Sequence, residues 1–270
     1  MSERKSGSMP TSRTTSDPHR VALGGATGRM GRAIARLAPE HHCVIVGAFA
    51  APGDAGQVVE GVKVVGSPSG VMETAEVVID FSHASATAAL ADACRARALP
   101  LVSGTTNLDD AGKRAIEELS KVAPVLWSPN MSLGVQLLAD LVEQAVRRLG
   151  VGFDVEIVEA HHGKKVDAPS GTAKRLVEAV RAGLDADLPV VNGRHGDVGA
   201  RKRGEIGVHA IRGGDVVGDH TVMLLGQGER LELTHRASSR DVFAHGALRA
   251  ARYLVGRPAG RYTMKDLLGG

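Results

Sequence analysis

The sequence is poor in cysteine, in aromatic residues and in long apolar runs, and each shortage excludes a class of protein. The two cysteines, Cys43 and Cys94, are too few for a disulfide scaffold and lack the spacing of a metal site. No apolar run approaches the roughly 18 residues that a membrane-spanning helix needs. Aromatic residues make up 3% of the chain and the net charge is only +3, which argues against nucleic-acid binding by stacking. We therefore expect a cytoplasmic protein that binds neither membranes nor nucleic acid.

The residues that are abundant indicate an α/β protein. Hydrophobic residues make up 43% and charged residues 23% of the 270 residues, as in a soluble globular protein. Alanine, valine, leucine and glycine dominate, which suits a parallel sheet packed tightly against helices. Residues 1–19 are rich in Ser, Thr and Arg and have no apolar segment, so we predict a disordered leader there.

The order of apolar patterns divides the rest of the chain into three parts. Strand-like and helix-like segments alternate from Arg20 to Asn130, which predicts a Rossmann-like, doubly wound parallel sheet over residues 20–131. Three strand-like runs between Gly204 and His235 predict a mixed or antiparallel sheet, in a second α+β domain over residues 132–240. Residues 241–270 are predicted to form a final helix and a tail that returns to the first domain.

A glycine-rich turn follows the first predicted strand. Gly25, Gly28 and Gly31 recur at every third position between an apolar strand and a helical pattern. Early glycines let the backbone turn and approach a pyrophosphate, and the last lets the helix pack closely on the strand. The spacing alone also occurs in ordinary tight turns, but the strand before it and the helix after it favour dinucleotide binding.

The end of the second strand lacks the residue that usually chooses the cofactor. An acidic side chain there normally holds the adenosine ribose of NAD, and an arginine accommodates the 2′-phosphate of NADP. After the strand Cys43 to Phe49 this chain has Ala50, Ala51 and Pro52, with Asp54 further on. These residues therefore do not decide whether the protein uses NADH or NADPH.

Two later strand ends offer further ligand contacts. Gly104, Thr105 and Thr106 follow the strand Pro100 to Ser103, which is either a ligand-binding edge or a capped turn. Trp127 closes the next strand and is interpreted as a packing residue.

The most unusual segment is EAHHGKKVDAPSGTA, from Glu159 to Ala173, between a predicted strand and a predicted helix. His161 and His162 carry imidazoles that can titrate near neutral pH, and Lys164 and Lys165 add fixed positive charge beside them. The Ser-Gly-Thr start of the next helix supplies free amides for an anion. Adjacent histidines in an extended chain point in opposite directions, so only one is expected to face a ligand. A metal site fits poorly, because the histidines lack helical i, i+4 spacing.

The Gly/Arg-rich run from Leu188 to Arg203 has no periodicity. It is interpreted either as a solvated loop or as a mobile cationic cover carrying Arg194, His195, Arg201, Lys202 and Arg203.

Four motifs together resemble those of the dihydrodipicolinate reductase family, also called 4-hydroxy-tetrahydrodipicolinate reductases. They are GGATGRMG at Gly24 to Gly31, SGTTNLDD at Ser103 to Asp110, the segment from Glu159 to Ala173, and RGEIGVHAIRGGDVVGDHTV at Arg203 to Val222. The resemblance covers nearly everything after Arg20, and the histidine segment is its most specific part.

The resemblance implies an NADH- or NADPH-dependent reduction of a small dicarboxylate in diaminopimelate and lysine biosynthesis, by a homotetramer joined through its C-terminal sheets. It implies that His161 is a proton donor and acceptor and that Lys165 is a proton donor. His162, Gly171 and Thr172 match substrate-binding positions. The matching cofactor-binding positions are Gly25, Ala26, Thr27, Gly28, Arg29, Met30, Gly104, Thr105, Thr106, Ser128, Pro129, Asn130 and Met131. The family often has an acidic and then a basic residue where this chain has Ala51 and Pro52.

Two other functions are weighed against this one. A two-domain dehydrogenase acting on an aldehyde or an amino acid is the first, although neither cysteine lies in a loop suited to an acyl-enzyme mechanism. The second is a sensor that binds NAD(P) without turnover, in which the pair of His161 and Lys165 is not expected.

Overall fold

The structure, a computed structural model, describes residues 17–269, which form two β-sheets and six α-helices. The predicted leader lies outside the described residues, apart from its last three positions. In chain order the strands are β1 (His19–Gly24), β2 (Cys43–Phe49), β3 (Val58–Val59), β4 (Val62–Val65), β5 (Val77–Asp80), β6 (Leu101–Ser103), β7 (Pro124–Trp127), β8 (Asp154–His161), β9 (Val190–Asn192), β10 (Ile206–Arg212), β11 (Gly218–Leu225), β12 (Arg230–Ala237) and β13 (Gly260–Tyr262). The helices are α1 (Arg29–Leu37), α2 (Ala84–Arg95), α3 (Asp110–Ser120), α4 (Leu133–Leu149), α5 (Gly171–Leu184) and α6 (Asp241–Leu254). Across these described residues, none of the helices combines the length and the apolar character needed to cross a membrane.

The larger sheet has eight strands in the order β13-β7-β6-β5-β1-β2-β4-β3. All neighbouring strands run parallel except β3 and β4, which are antiparallel. The strand order reverses at β1, which pairs with β2 on one side and with β5 on the other. Ligands of open α/β sheets bind beyond the carboxyl ends of the strands at such a reversal. The predicted Rossmann-like architecture is confirmed.

Helices cover both faces of this sheet. Val21 and Leu23 of β1 share a buried cluster with Ile34 of α1 and Leu248 of α6. Ala22 points the other way and belongs to the cluster formed with α2 and α3. Each leucine buried in this way contributes about 1.5–3 kcal/mol relative to an exposed one. The last helix therefore packs on the first sheet, where it joins α1 beneath the glycine-rich turn.

The smaller sheet has five strands in the order β12-β11-β8-β10-β9. Strands β8, β9 and β10 are parallel, and β11 runs antiparallel to both β8 and β12, so the sheet is mixed, as predicted. One face packs on α4 and α5, where Val155 and Ile157 meet Val142 and Leu176. The domain boundary between residues 131 and 132 stays a prediction. Met131 is buried in the cluster of the first sheet, and Ser132 accepts a hydrogen bond from the amide of Val135 at the start of α4.

The structure changes the interpretation of the Gly/Arg-rich run. Arg194 and Arg201 bind the carboxylate of Glu156 on β8, with N–O distances of 2.9 and 2.8 Å. Burial raises the pKa of Glu156, but the hydrogen bonds from these arginines and from His209 outweigh it and lower the pKa to about 2. A mobile cationic cover is therefore the wrong interpretation for Arg194 and Arg201, because both are tied to the smaller sheet.

Candidate active site

A cavity of about 1070 Å³ lies between the two sheets, and half of the predicted site residues line it. From the smaller-sheet side come His161, His162, Lys165, Gly171 and Thr172. From the larger sheet come Thr106, Ser128, Pro129 and Asn130, which follow the carboxyl ends of β6 and β7. The fold thus brings the histidine segment against the nucleotide-binding edge, although a helix and a strand separate the two in sequence.

His161 is held by a hydrogen bond to a buried carboxylate. Its Nδ1 lies 2.6 Å from Oε2 of Glu159, a fully buried carboxylate. The two terminal nitrogens of Arg212 donate to Glu159 at 2.7 and 2.8 Å, and the amide of Ser170 donates at 3.0 Å. Burial raises the pKa of Glu159, but Arg212, His161 and Ser170 together lower it. An ionised carboxylate can only accept hydrogen bonds, so Nδ1 of His161 carries its proton and Nε2 is left for proton exchange.

The strand pattern explains why these three side chains meet. Glu159 and His161 are two residues apart in β8, so both point to the same face, and Arg212 lies opposite His161 in β10. Gly218 of β11 leaves room at the imidazole, because a Cβ at that position would lie 3.1 Å from Nε2 of His161. Strand β8 ends at His161 itself. His161 therefore has the rigid backbone of a strand.

His220 stands behind His161. The two rings meet edge to face with centroids 5.1 Å apart, and Nε2 of His220 lies 3.1 Å from Oγ of Ser170. Burial, and then the neighbouring His161, lower the pKa of His220 to about 4. Ser170 Oγ also accepts from the amide of Ala173, which caps α5 and confirms the predicted helix start. His220 is therefore neutral at physiological pH and supports the ring of His161 without adding charge.

Lys165 and His162 flank His161 at the cavity wall. Lys165 Nζ donates to Oδ1 of Asp167 at 2.7 Å, and this contact lowers the pKa of Asp167. His162 Nε2 lies 3.1 Å from a terminal nitrogen of Arg240, and desolvation and then Arg240 lower the pKa of His162. The expectation that only one histidine faces a ligand is wrong. The chain leaves the extended conformation after His161, and both rings reach the cavity.

The glycine-rich turn lies beyond the cavity lining, at the end of β1. Gly25 has φ of +70°, and a Cβ there would lie 2.4 Å from the carbonyl oxygen of Phe81. Gly28 caps α1 without a side chain, so no side chain competes for the amides of the first turn. A Cβ on Gly31 would lie 2.3 Å from the carbonyl oxygen of Gly25, so this glycine lets the helix approach the turn. These features fit a bound pyrophosphate.

The segment Gly104 to Thr106 is shaped by a buried aspartate. Asp80, at the end of β5, accepts from Thr105 Oγ1 at 2.9 Å and from Ser103 Oγ at 3.2 Å. The indole nitrogen of Trp127 donates to the carbonyl of Thr105 at 2.9 Å, and Trp127 also lines the cavity. Thr105 is nearly buried, whereas Thr106 lines the cavity. Trp127 therefore does more than pack, because it holds this segment in place.

The loop after β7 joins the two halves of the cavity. Asn130 Nδ2 donates to Thr172 Oγ1 at 3.1 Å, and Ser128 Oγ donates to the carbonyl of Asn130 at 2.7 Å. Met131 is 1% exposed and does not reach the cavity. The side chain of Met131 belongs to the core of the first sheet, and the preceding residues of this loop line the cavity.

The comparisons agree with this geometry. A family model described as the N-terminus of dihydrodipicolinate reductase matches residues 19–131, and the model of the C-terminus matches residues 134–268. The chain belongs to the dihydrodipicolinate reductase family. Among solved structures, a dipicolinate-bound dihydrodipicolinate reductase from Paenisporosarcina sp. TG-14 shares the fold, with a TM-score of 0.74 and 21% identity over 91% of this chain and 97% of that chain.

Curated relatives in the family are closer in sequence. The 4-hydroxy-tetrahydrodipicolinate reductase of Thiobacillus denitrificans is 45% identical over 93% of this chain and 98% of the relative. The enzyme of the same name from Myxococcus xanthus is 47% identical over 93% of this chain and 97% of the relative. The predicted family and the predicted enzyme class, an oxidoreductase, are confirmed.

Several cavity residues of this reductase were missed by sequence reasoning. Lys174 and Arg175 lie in the first turns of α5, Lys113 comes from α3 and Arg240 precedes α6. Together with Lys165 they give the cavity wall a positive charge suited to carboxylates. The two residues of α5 could have been found, because they directly follow the Ser-Gly-Thr helix start. Nothing in the local sequence marks Lys113 or Arg240, since tertiary packing alone brings them here.

Lowering the pH from about 7 to about 5 is expected to destabilise the protein, and His220→Gln is expected to reduce that loss. The folded pKa of His220, about 4, lies below its ordinary value of 6.5, so the unfolded chain binds more protons between these values. The contribution of His220 to the free energy of unfolding is fully present above the pKa of the unfolded chain. It falls as the pH drops toward the pKa of the folded protein, by about 2 kcal/mol at pH 5. Urea unfolding of both proteins at both pH values measures the effect. The same pH-dependent loss in both proteins would contradict the role of His220.

Proposed function

We propose that the protein reduces 4-hydroxy-tetrahydrodipicolinate to tetrahydrodipicolinate with NADH or NADPH, as the names of its curated relatives suggest, in diaminopimelate and lysine biosynthesis. The observation that carries the proposal is the position of His161, which is fixed by a buried carboxylate and faces the same cavity as the nucleotide-binding edge of the sheet. The predicted cytoplasmic location stays a prediction.

The residues of the first domain fit a pyridine nucleotide. The turn Gly25 to Gly28 and the amides at the start of α1, with Arg29 and Met30, would hold the pyrophosphate. Thr106 and the loop Ser128 to Asn130 would line the nicotinamide end, because they lie at the cavity beside the histidine segment. The bound nucleotide supplies a hydride, and the protein positions it against the substrate.

The residues of the second domain fit a small dicarboxylate. His162, Gly171, Thr172 and the first amides of α5 would bind the carboxylates, together with the cationic side chains of the cavity wall. The dipicolinate bound to the Paenisporosarcina enzyme is a ligand of the same chemical class.

His161 and Lys165 would transfer the protons of the reaction. Loss of the 4-hydroxyl group as water, with a proton from the neighbouring ring carbon, gives a conjugated cyclic imine. Hydride addition to this imine then leaves electron density that a proton must neutralise. His161 Nε2 would deliver and accept the proton, since Nδ1 is occupied by Glu159. Lys165 would act as the second proton donor and keeps its ammonium group at the cavity wall through Asp167.

An oxidation assay tests this function. The substrate is generated freshly from pyruvate and aspartate semialdehyde by the preceding synthase, and the absorbance of NADH or NADPH is followed in separate reactions. We expect rapid oxidation that depends on the synthase, with a reaction lacking the synthase as the control. Folded protein that binds a nucleotide but oxidises neither would refute the proposed reaction and favour a nucleotide sensor.

We also propose a homotetramer that is joined through the smaller sheet. The face of this sheet opposite α4 and α5 is covered by no helix of residues 17–269. Val158, Ile211 and Met223 lie on it, and Ile211 is 55% exposed. Light scattering of the wild type is expected to give the mass of four chains. Ile211→Glu is expected to lower the measured mass, because it places a charge on this face. A monomeric wild type at micromolar concentration would contradict this assembly.

A further inference from the structure

A carboxylate reaches the glycine-rich turn from the loop after β2. Oδ2 of Asp54 accepts a hydrogen bond of 2.8 Å from Oγ1 of Thr27, the residue between Gly25 and Gly28. Oδ1 of Asp54 accepts from Nε2 of Gln57 at 2.9 Å. Asp54 is half-buried, and each of its carboxylate oxygens has a lone pair left to accept a further hydrogen bond.

The backbone explains this position. Residues Pro52–Asp54 form a single 3₁₀ turn that begins at a proline, and the amide of Asp54 donates to the carbonyl of Ala51 at 2.9 Å. Hydrogen bonds to β4 hold the chain on both sides of this turn. The amide of Ala50 donates to the carbonyl of Val65, and the amide of Gly56 donates to the carbonyl of Val64. This turn folds the chain back toward β1, so a carboxylate several residues beyond β2 reaches the site.

We propose that Asp54 holds the adenosine ribose in place of the acidic residue that is missing at Ala51, and so selects NADH over NADPH. The inference rests on the proposed function, because it concerns the nucleotide of that reaction. The ribose hydroxyls of NADH would donate to the Asp54 carboxylate. The 2′-phosphate of NADPH would place negative charge beside that carboxylate, which disfavours binding.

Two arginines near the turn define the competing arrangement. Arg32 donates to the carbonyl of Thr27 at 3.0 Å and to Oε1 of Gln57 at 3.2 Å, so it braces the same loop as Asp54. Arg29 begins α1 and is exposed. If either arginine recruits the 2′-phosphate, the wild-type protein will bind NADPH more tightly than NADH.

Direct titration of the full chain with NADH and with NADPH, without substrate and followed by calorimetry, tests the inference. Wild type is expected to bind NADH more tightly. Asp54→Asn is expected to lower the affinity for NADH about tenfold, the effect of losing one charge-assisted hydrogen bond. The same substitution is expected to raise the affinity for NADPH. Glu60→Gln is the matched control, since it removes an exposed carboxylate from the neighbouring turn between β3 and β4 and should change neither affinity.

A second variant separates position from charge. Thr27→Val removes the hydrogen bond that orients Asp54 but keeps the carboxylate. The affinity for NADH should therefore fall, while the affinity for NADPH should stay low. A wild type that prefers NADPH, or an Asp54→Asn variant with an unchanged preference, would overturn the inference while leaving the proposed function intact. Failure of the folded wild type to bind either nucleotide would instead refute both.

Discussion

His161→Ala is expected to lower the turnover number by about 10²–10⁴-fold, the usual contribution of a positioned acid or base. The reason is geometric, since Glu159 fixes Nδ1 and leaves Nε2 to exchange the proton that accompanies the hydride. Nucleotide affinity should change little, because the glycine-rich turn does not contact His161. Steady-state kinetics combined with nucleotide titration measures both effects.

The matched control is His195→Ala, which removes an exposed histidine that does not line the cavity and should leave turnover unchanged. Lys165→Ala should also act mainly on turnover. Losses of turnover and nucleotide affinity of equal size in His161→Ala would argue against acid/base catalysis by this residue.

Arg212→Met is expected to destabilise the folded protein by about 3–5 kcal/mol, the cost of leaving a buried charge without its partner. Arg212 donates two hydrogen bonds to Glu159, and that carboxylate has no access to solvent. The double variant Glu159→Gln/Arg212→Met should recover part of the loss, because the unpaired charge is then removed. The free energy of unfolding in urea at neutral pH gives the comparison.

The pH dependence of this loss has a defined sign. The folded pKa of Glu159 is lowered from its ordinary value of 4.5, so the ion pair contributes above that value and its contribution is lost as the pH falls. The difference between wild type and Arg212→Met should therefore shrink in acid. Arg236→Met, an exposed arginine of β12 with a side chain 73% accessible, is the control and should cost less than about 1 kcal/mol. A similar loss in both single variants would mean that the buried pair has no special role.

Much of the fold was predictable because its signals are local. The apolar runs of the central strands and the cap at Ser170 depend on residues that are close in sequence. The predicted strand Cys43 to Phe49 coincides with β2, and the predicted strand Pro100 to Ser103 begins one residue before β6. The short strands β9 and β13 were not predicted. Each has three residues, and its hydrogen bonds come from a distant neighbour, β10 or β7.

The site was predictable in its chemistry and less so in its arrangement. The sequence shows two histidines and two lysines in one loop before a helix start, and the family resemblance then singled out His161 and Lys165. Arg212, the ion-pair partner of Glu159, was not predicted. It is 53 residues further along the chain, and only the pairing of β8 with β10 brings it to Glu159. The sequence placed Asp54 beyond the end of β2 without assigning it a role, and a single turn brings it to Thr27.

The sequence by itself determined the architecture, the family and the reactive groups, because strand periodicity, glycine spacing and side-chain chemistry are properties of short segments. Tertiary structure alone decided which nitrogen of His161 is free, which cations line the cavity and which carboxylate reaches the glycine-rich turn. These features depend on strand register and on side-chain distances of about 3 Å, and no local pattern encodes distances between segments that lie far apart in the chain.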